Sequence, residues 1–308
     1  VMKAMVYRRF GGPEILEPAE PPVPKVSVDA VLVRVRAAAV NPADACLQAG
    51  ALDDAVETFF PVVPGWDIAG VVERAGPGAP EFAPGDEVIG YVRGEVQRAH
   101  GGFAELVAAD VRTLVPKPAG QSFAEASALP LAGLTAYQAV VHALAVRPAE
   151  TLLVHGAAGG VGSLAAQIGR AREARVIGTA APRDHAYLRS LGVEPVGYGE
   201  GVAGRVRALA PGGVDAVLDA AGRGTLAATA EMVRPGTRVA SVAEPGLPGV
   251  TDVFCRLAQE DFTAMAALAE SGRLRARVGG VFPLERAADA QRAHAAGSVR
   301  GRVVVEVA

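Results

Sequence analysis

The 308-residue chain is poor in cysteine. It has two, Cys46 and Cys255, and no C-x-x-C pair. That excludes a disulfide framework and a zinc ribbon. It also lacks charge of one sign: the formal net charge is −3, with no long basic or acidic run. A nucleic-acid or anionic-membrane partner is therefore not expected. No apolar run approaches the ~20 residues of a membrane span. The N-terminal stretch has no basic segment followed by an apolar one. With the low cysteine content, this leads to the expectation of a reducing, cytoplasmic setting. The five histidines, His100, His142, His155, His185 and His294, form no i, i+4 ligand pair. No internal repeat or low-complexity segment is evident. Half of the residues are hydrophobic, which supports a sizeable core, and the length fits about two domains.

What is present centres on one stretch. Thr151 to His155 is a short apolar run with β-type residues. Gly156-Ala157-Ala158-Gly159-Gly160-Val161-Gly162 follows at once, and Ser163 to Ala171 places apolar side chains at helical spacing. Strand, glycine turn and helix make up a pyrophosphate site: the backbone approaches closely and the helix N-terminus presents unpaired N–H groups. The fingerprint G-x-G-x-x-G is matched only in part, as Ala157-x-Gly159-x-x-Gly162. A turn built for tight strand–helix packing alone is the competing reading.

In chain order, Met2 to Tyr7 reads as a strand and Pro18 to Pro24 as an extended connector. Val31 to Val35 is a half-buried strand, and a short helix follows Asn41-Pro42. The segments after Pro64, Pro84 and Gly101 are further strands, with turns every ten or so residues, as in a small barrel. Texture changes at Ser122, where Ser122-Phe123-Ala124-Glu125 fits a capping box. Leu131 to Val146 reads as one long helix. Strands and helices then alternate: strands at 175–178, 214–218 and 237–242, helices at 183–191, 226–232 and 259–271. This predicts an α/β fold with a doubly wound parallel sheet. Phe282 to Val307 returns to the texture of the first part, with one helix at 285–296. The expected division is 1–121 with 276–308, and 122–275.

An NAD-type site expects an acid about 20 residues past the glycines. The second strand ends Val176-Ile177-Gly178-Thr179, without one. Arg183 follows and is placed to meet a 2′-phosphate, or is a solvated residue in a helix's first turn. Asp184 beside it is a counter-indication.

Several stretches together resemble the medium-chain dehydrogenase/reductase superfamily, in its zinc-free quinone oxidoreductase branch. They are Phe10-Gly11-Gly12-Pro13-Glu14, Asn41-Pro42-Ala43-Asp44, Pro64-Gly65-Trp66-Asp67-Ile68-Ala69-Gly70, Gly85-Asp86-Glu87-Val88, Leu134-Thr135-Ala136-Tyr137, the Gly156–Gly162 loop and Gly301-Arg302-Val303-Val304-Val305-Glu306-Val307. The resemblance implies a GroES-like, barrel-like catalytic domain completed by the C-terminal segment. A Rossmann-type NADP-binding domain is inserted, with the active site in the cleft. It also implies NADPH as cofactor and a homodimer.

Zinc-containing relatives ligate their metal at positions that correspond to Asn41, Trp66 and Leu131. An amide, an indole and an alkyl group do not replace thiolate and imidazole, so no zinc is expected. Hydride transfer to a quinone or enone then needs hydrogen-bond donors at the acceptor oxygen, with solvent delivering the proton. Asn41 matches the family's active-site asparagine; the alternative is a turn cap before Pro42. Cys46 stands where such enzymes often carry a tyrosine, and with Trp66 it is expected to line the substrate pocket. Expected cofactor contacts are Gly156, Ala157, Gly159, Gly160, Val161, Gly162, Ser163, Thr179, Arg183, Tyr198, Ala220, Ser241 and Val242. The resulting expectation is an NADPH-dependent reductase of quinones or α,β-unsaturated carbonyls. The alternatives are an enoyl-thioester reductase and a non-catalytic NADPH-binding protein.

Overall fold

A computed structural model describes residues 1–97 and 100–308. The strands of the first part are β1 (Ala4–Val6), β2 (Glu17–Ala19), β3 (Ala30–Ala39), β4 (Asp67–Ala75), β5 (Glu87–Tyr91), β6 (Leu106–Asp110) and β7 (Leu114–Pro116). Between or after them lie α1 (Pro42–Gln48), α2 (Arg93–Gln97), α3 (Phe123–Ser127) and α4 (Pro130–Tyr137). The middle of the chain alternates: β8 (Thr151–His155), α5 (Gly160–Ala171), β9 (Arg175–Ala180), α6 (His185–Ser190), β10 (Glu194–Gly197), α7 (Val202–Leu209), β11 (Val214–Asp219), β12 (Val233–Ser241) and β13 (Thr251–Asp252). The last elements are α8 (Gln259–Glu270), β14 (Val278–Pro283), α9 (Ala287–Ala295) and β15 (Arg302–Glu306).

The backbone divides into two compact units. One comprises Val1–Leu131, Leu257–Ala266 and Ala276–Ala308; the other Ala132–Arg256 and Ala267–Arg275. The capping box at Ser122 is present: its hydroxyl accepts from the Glu125 N–H, and the Glu125 carboxylate accepts from the Ser122 N–H. It starts α3, which stays with the first unit, so the chain changes unit at 131/132.

The first unit is built on β3. Val31, Val33 and Val35 are buried while Arg34 and Arg36 reach solvent, the alternation of a strand with one wet face. β3 pairs antiparallel with β4 along its length, with β6 at residues 30–34 and with β15 at residues 37–39. β5 and β7 extend the sheet beyond β4, and β14 lies parallel to β15. The C-terminal strand thus completes the N-terminal sheet.

The second unit is a six-stranded parallel sheet in the order β10-β9-β8-β11-β12-β13. Numbered within the unit this is 3-2-1-4-5-6, the doubly wound dinucleotide-binding order. One face carries Leu153, Ile177, Val217 and Val239 against Val206, Ala210 and Met232. The other packs on α5, where a Cβ at Gly169 would lie 2.8 Å from Leu152.

Local expectations fail at three places. The long helix expected at Leu131–Val146 is α4 followed by a π-helical stretch, Gln138–Ala143. The Gln138 amide, bonded both ways to the Arg256 backbone at 2.9 and 3.0 Å, holds that widened turn. The segment expected as a helix at 226–232 is a 3-10 turn, Thr225–Glu231. β10 and α7 carry too short and too polar a pattern to be read from sequence. No helix among the described residues is long and apolar enough to cross a membrane.

Candidate active site

The glycine loop of the second unit is shaped by backbone clearance. Gly156 has φ +70°, a left-handed conformation that favours glycine. A Cβ at Gly162 would lie 2.2 Å from the Gly156 carbonyl oxygen, so α5 meets the loop only through glycine. Ala157 stands where the fingerprint has its first glycine. It is tolerated because Gly178 of β9 lies opposite: a Cβ there would come within 2.5 Å of the Ala157 methyl. Gly159 caps α5 and is exposed, and Gly160 and Val161 are half-buried. The first N–H groups of α5 have no acceptor within the helix and are the anion-binding end. This cradle fits a nucleotide pyrophosphate.

The remaining expected cofactor residues fall along the carboxyl edge of the same sheet. Thr179 is buried; its hydroxyl accepts from the Gly156 N–H at 3.2 Å and lies 3.3 Å from His155 Nδ1. It braces the loop from below. Ser163 is buried in the first turn of α5. Arg183 follows β9 with a largely exposed side chain, 3.8 Å from the Asp184 carboxylate. Tyr198 follows β10 and is exposed. Gly197 and Ala180 are register partners, so Arg183 and Tyr198 leave neighbouring strands at one edge. Ala220, Ser241 and Val242 end β11 and β12. Ser241 donates to Asp219 Oδ2 at 2.9 Å, and the Val242 N–H donates to the Asp219 carbonyl at 3.0 Å.

In the first unit, Asn41 lies between β3 and α1, entirely buried. Its Nδ2 donates to Asp67 Oδ2 at 2.9 Å and faces the Ala39 carbonyl at 3.4 Å, while its Oδ1 accepts from Arg302 Nη2 at 2.6 Å. Asp67 Oδ1 accepts from the Leu131 N–H at 2.9 Å. Asp44 reaches back from α1 and accepts from the N–H groups of Asn41, at 2.8 Å, and Gly65, at 3.1 Å. Asp67, Arg302 and Asp44 complete a buried knot.

Burial raises the Asp44 carboxyl to about 7, helped by the charge of Asp67 and opposed by its two N–H donors and Arg302. Burial likewise raises Asp67 to about 6, against the pull of Arg302, Asn41 and the Leu131 N–H. The Arg302 guanidinium is pushed down by burial and held up by the two carboxylates.

Trp66 is 93% buried and tilted against Tyr91, with ring centres 6.2 Å apart. Among the described residues its Nε1–H has no hydrogen-bond partner. Cys46 is an exposed thiol on α1.

Zinc does not fit the donors at Asn41, Trp66 and Leu131. The Asn41 oxygen is taken by a guanidinium, whose fixed positive charge opposes a cation, and the indole and the Leu131 side chain offer no ligand atom. Asp67 instead joins Asn41 and the Leu131 backbone by hydrogen bonds.

Reading the sequence singled out Asn41, Trp66 and the glycine loop but assigned no role to Asp67 or Arg302. Asp67 was visible as the neighbour of Trp66. Arg302 lies 261 residues from Asn41, beyond any local pattern.

Residues 27–119 match the family model of the alcohol dehydrogenase GroES-like domain, and residues 196–305 that of zinc-binding dehydrogenases. The quinone oxidoreductase of Lama guanicoe is 29% identical over 99% of this chain and 97% of its own. The solved structure of an NAD-dependent alcohol dehydrogenase is 34% identical with a TM-score of 0.91, covering all of both chains. That of the quinone oxidoreductase from Coxiella burnetii is 28% identical with a TM-score of 0.83, over 100% of this chain and 99% of its own. Split α/β architecture, glycine cradle and matched domains agree: the chain belongs to the medium-chain dehydrogenase/reductase superfamily, in its quinone oxidoreductase branch.

Proposed function

We propose that this oxidoreductase uses NADPH to reduce quinones or α,β-unsaturated carbonyls without a metal. The observation that carries the reading is the end of β9. Where an NAD-type site has an acid, Thr179 is buried beneath the glycine loop, and Arg183 stands exposed just beyond. A 2′-phosphate would meet a cation there rather than a carboxylate at the strand end. The glycine loop and α5 would hold the pyrophosphate, and the loops after β11 and β12 the nicotinamide end. When bound, the cofactor supplies the hydride.

The protein must stabilise negative charge on the acceptor oxygen. Both amide hydrogens of Asn41 face internal acceptors, so its role is to position its surroundings. The indole N–H of Trp66, without a partner among the described residues, is the donor offered to the acceptor oxygen, with solvent protonating the product. Cys46 lines the same pocket in this reading.

The test is NADPH oxidation, followed by absorbance, against a panel of quinones and enones with and without a chelator. Turnover that survives chelation, with kcat reduced about tenfold or more in Trp66→Phe, is expected, since losing one such donor costs roughly 10²–10³ where it is the main one. No turnover across the panel, or loss on chelation, overturns the reading. An unchanged kcat in Trp66→Phe returns the indole to packing.

A further inference from the structure

The carboxyl edge of the parallel sheet carries an unbroken row of polar side chains. His155 of β8 is the register partner of Asp219 of β11, Asp219 of Ser241 of β12, and Ser241 of Asp252 of β13. The β8–β9 register pairs Leu153 with Ile177 and Val154 with Gly178, which sets His155 beside Thr179. In-register residues of parallel strands share a face. Thr179, His155, Asp219, Ser241 and Asp252 therefore cross five strands on one face. Leu153, Ile177, Val217 and Val239, two residues upstream, hold the same face with an apolar cluster.

Asp252 is exposed, but Thr179, His155, Asp219 and Ser241 are buried, and buried polar groups in such a position need a reason, because an apolar row would extend the cluster at no desolvation cost. Their partners supply one. Besides bonding along the row, they hold the amides of the loops that leave the edge. Thr179 takes the Gly156 N–H. Asp219 takes the Ala221 and Gly222 N–H groups and the Thr225 hydroxyl. Ser241 takes the N–H groups of Ala243 and Glu244, and Asp252 that of Gly246. His155 is the link between the two halves. Its Nδ1 faces the Thr179 hydroxyl at 3.3 Å, its Nε2 is buried with no hydrogen-bond partner among the described residues, and the Asp219 charge acts on it from the neighbouring strand.

We propose that this row couples the phosphate loop to the loops after β11 and β12, with His155 as the positioning residue that carries the coupling. Filling the adenosine end of the cofactor site then tightens the nicotinamide end before the nicotinamide arrives. The inference rests on the nucleotide-binding reading above.

The test uses the full chain and adenosine 2′,5′-bisphosphate, which fills only the adenosine end. Amide hydrogen exchange is followed at Ala221, Gly222, Ala243 and Glu244. In the wild-type protein the probe should slow exchange there about fivefold or more, the lower range of measured site-to-site couplings. In His155→Phe the probe should bind within about threefold of wild type while that distant slowing disappears, and His155→Gln, which keeps a polar group toward Thr179, should restore it. His155→Leu removes the same ring nitrogens with less bulk and serves if His155→Phe does not fold. Distant slowing that persists in these variants while the probe binds normally overturns the coupling and leaves the cofactor reading standing. A wild-type chain that binds neither the probe nor NADPH removes the cofactor reading and the coupling together.

Discussion

The two units bury polar groups in opposite ways. In the first, the side chains of Asn41, Asp67 and Arg302 bond one another, Asp44 accepts from the Asn41 and Gly65 N–H groups, and the charge of one guanidinium acts on both carboxylates. In the second, the buried Thr179, Asp219 and Ser241 spend most of their bonds on the amides of loops. Removing a member of the knot leaves an uncompensated buried charge, whereas removing a member of the row frees a loop. The first arrangement stakes stability and the second stakes the shape of a binding edge. The difference is that between buried ions, whose desolvation must be balanced within a few ångströms, and neutral loop amides, which need only an acceptor.

Four substitutions put this contrast to the test. The largest effect should come from Arg302→Leu, which strands two carboxylates in the core of the first unit. Breaking such a pair costs about 3–5 kcal/mol, read as a lower denaturation midpoint. A loss below about 1 kcal/mol would mean that the knot is not an ionic device. Gly162→Ala should follow, because its Cβ would lie 2.2 Å from the Gly156 carbonyl oxygen. Overpacking of this kind costs about 1–3 kcal/mol. Titration should show NADPH binding weakened about tenfold or more, with the first unit's melting unchanged.

Asp44→Asn tests the knot through pH. The folded chain holds the Asp44 and Asp67 protons up to about pH 7 and 6, above the ordinary carboxylate value. Their contribution to stability is complete below about pH 4 and is lost as pH rises through 6 to 7. The wild-type Tm should therefore carry a downward component across that window. The variant should lose about 2–4 °C of that slope, equivalent to roughly 1 kcal/mol in a chain of this size. An unaltered slope would show that Asp44 is ionised throughout. The smallest effect belongs to Arg183→Ala. The side chain is largely exposed, so its contact is screened and contributes about 1 kcal/mol. NADPH should weaken about fivefold and NADH hardly at all. Equal weakening of both would remove the 2′-phosphate contact.

The legible parts were those whose physics is local. The turn from His155 to Ser163 was visible because glycine clearance and helical spacing are properties of neighbouring residues. The capping box at Ser122 was visible for the same reason, but that the helix it starts packs in the first unit was not. The π-helical turn after Tyr137 escaped because the Gln138–Arg256 bonds that hold it join residues 118 apart. Trp66 stands out in the sequence, yet that its N–H lacks a partner among the described residues appears only once the strands around it are in place.

By itself, the order of residues determined the strand–glycine–helix unit, the alternation that makes a parallel sheet, and the missing acid at the end of β9. Tertiary structure alone decided that Arg302 closes on Asn41 and Asp67, and that Thr179, His155, Asp219, Ser241 and Asp252 stand in one row. Helical spacing and glycine turns act between residues close in the chain, so the order of residues reveals them. Burial of charge and strand register act between residues that only the folded chain brings together.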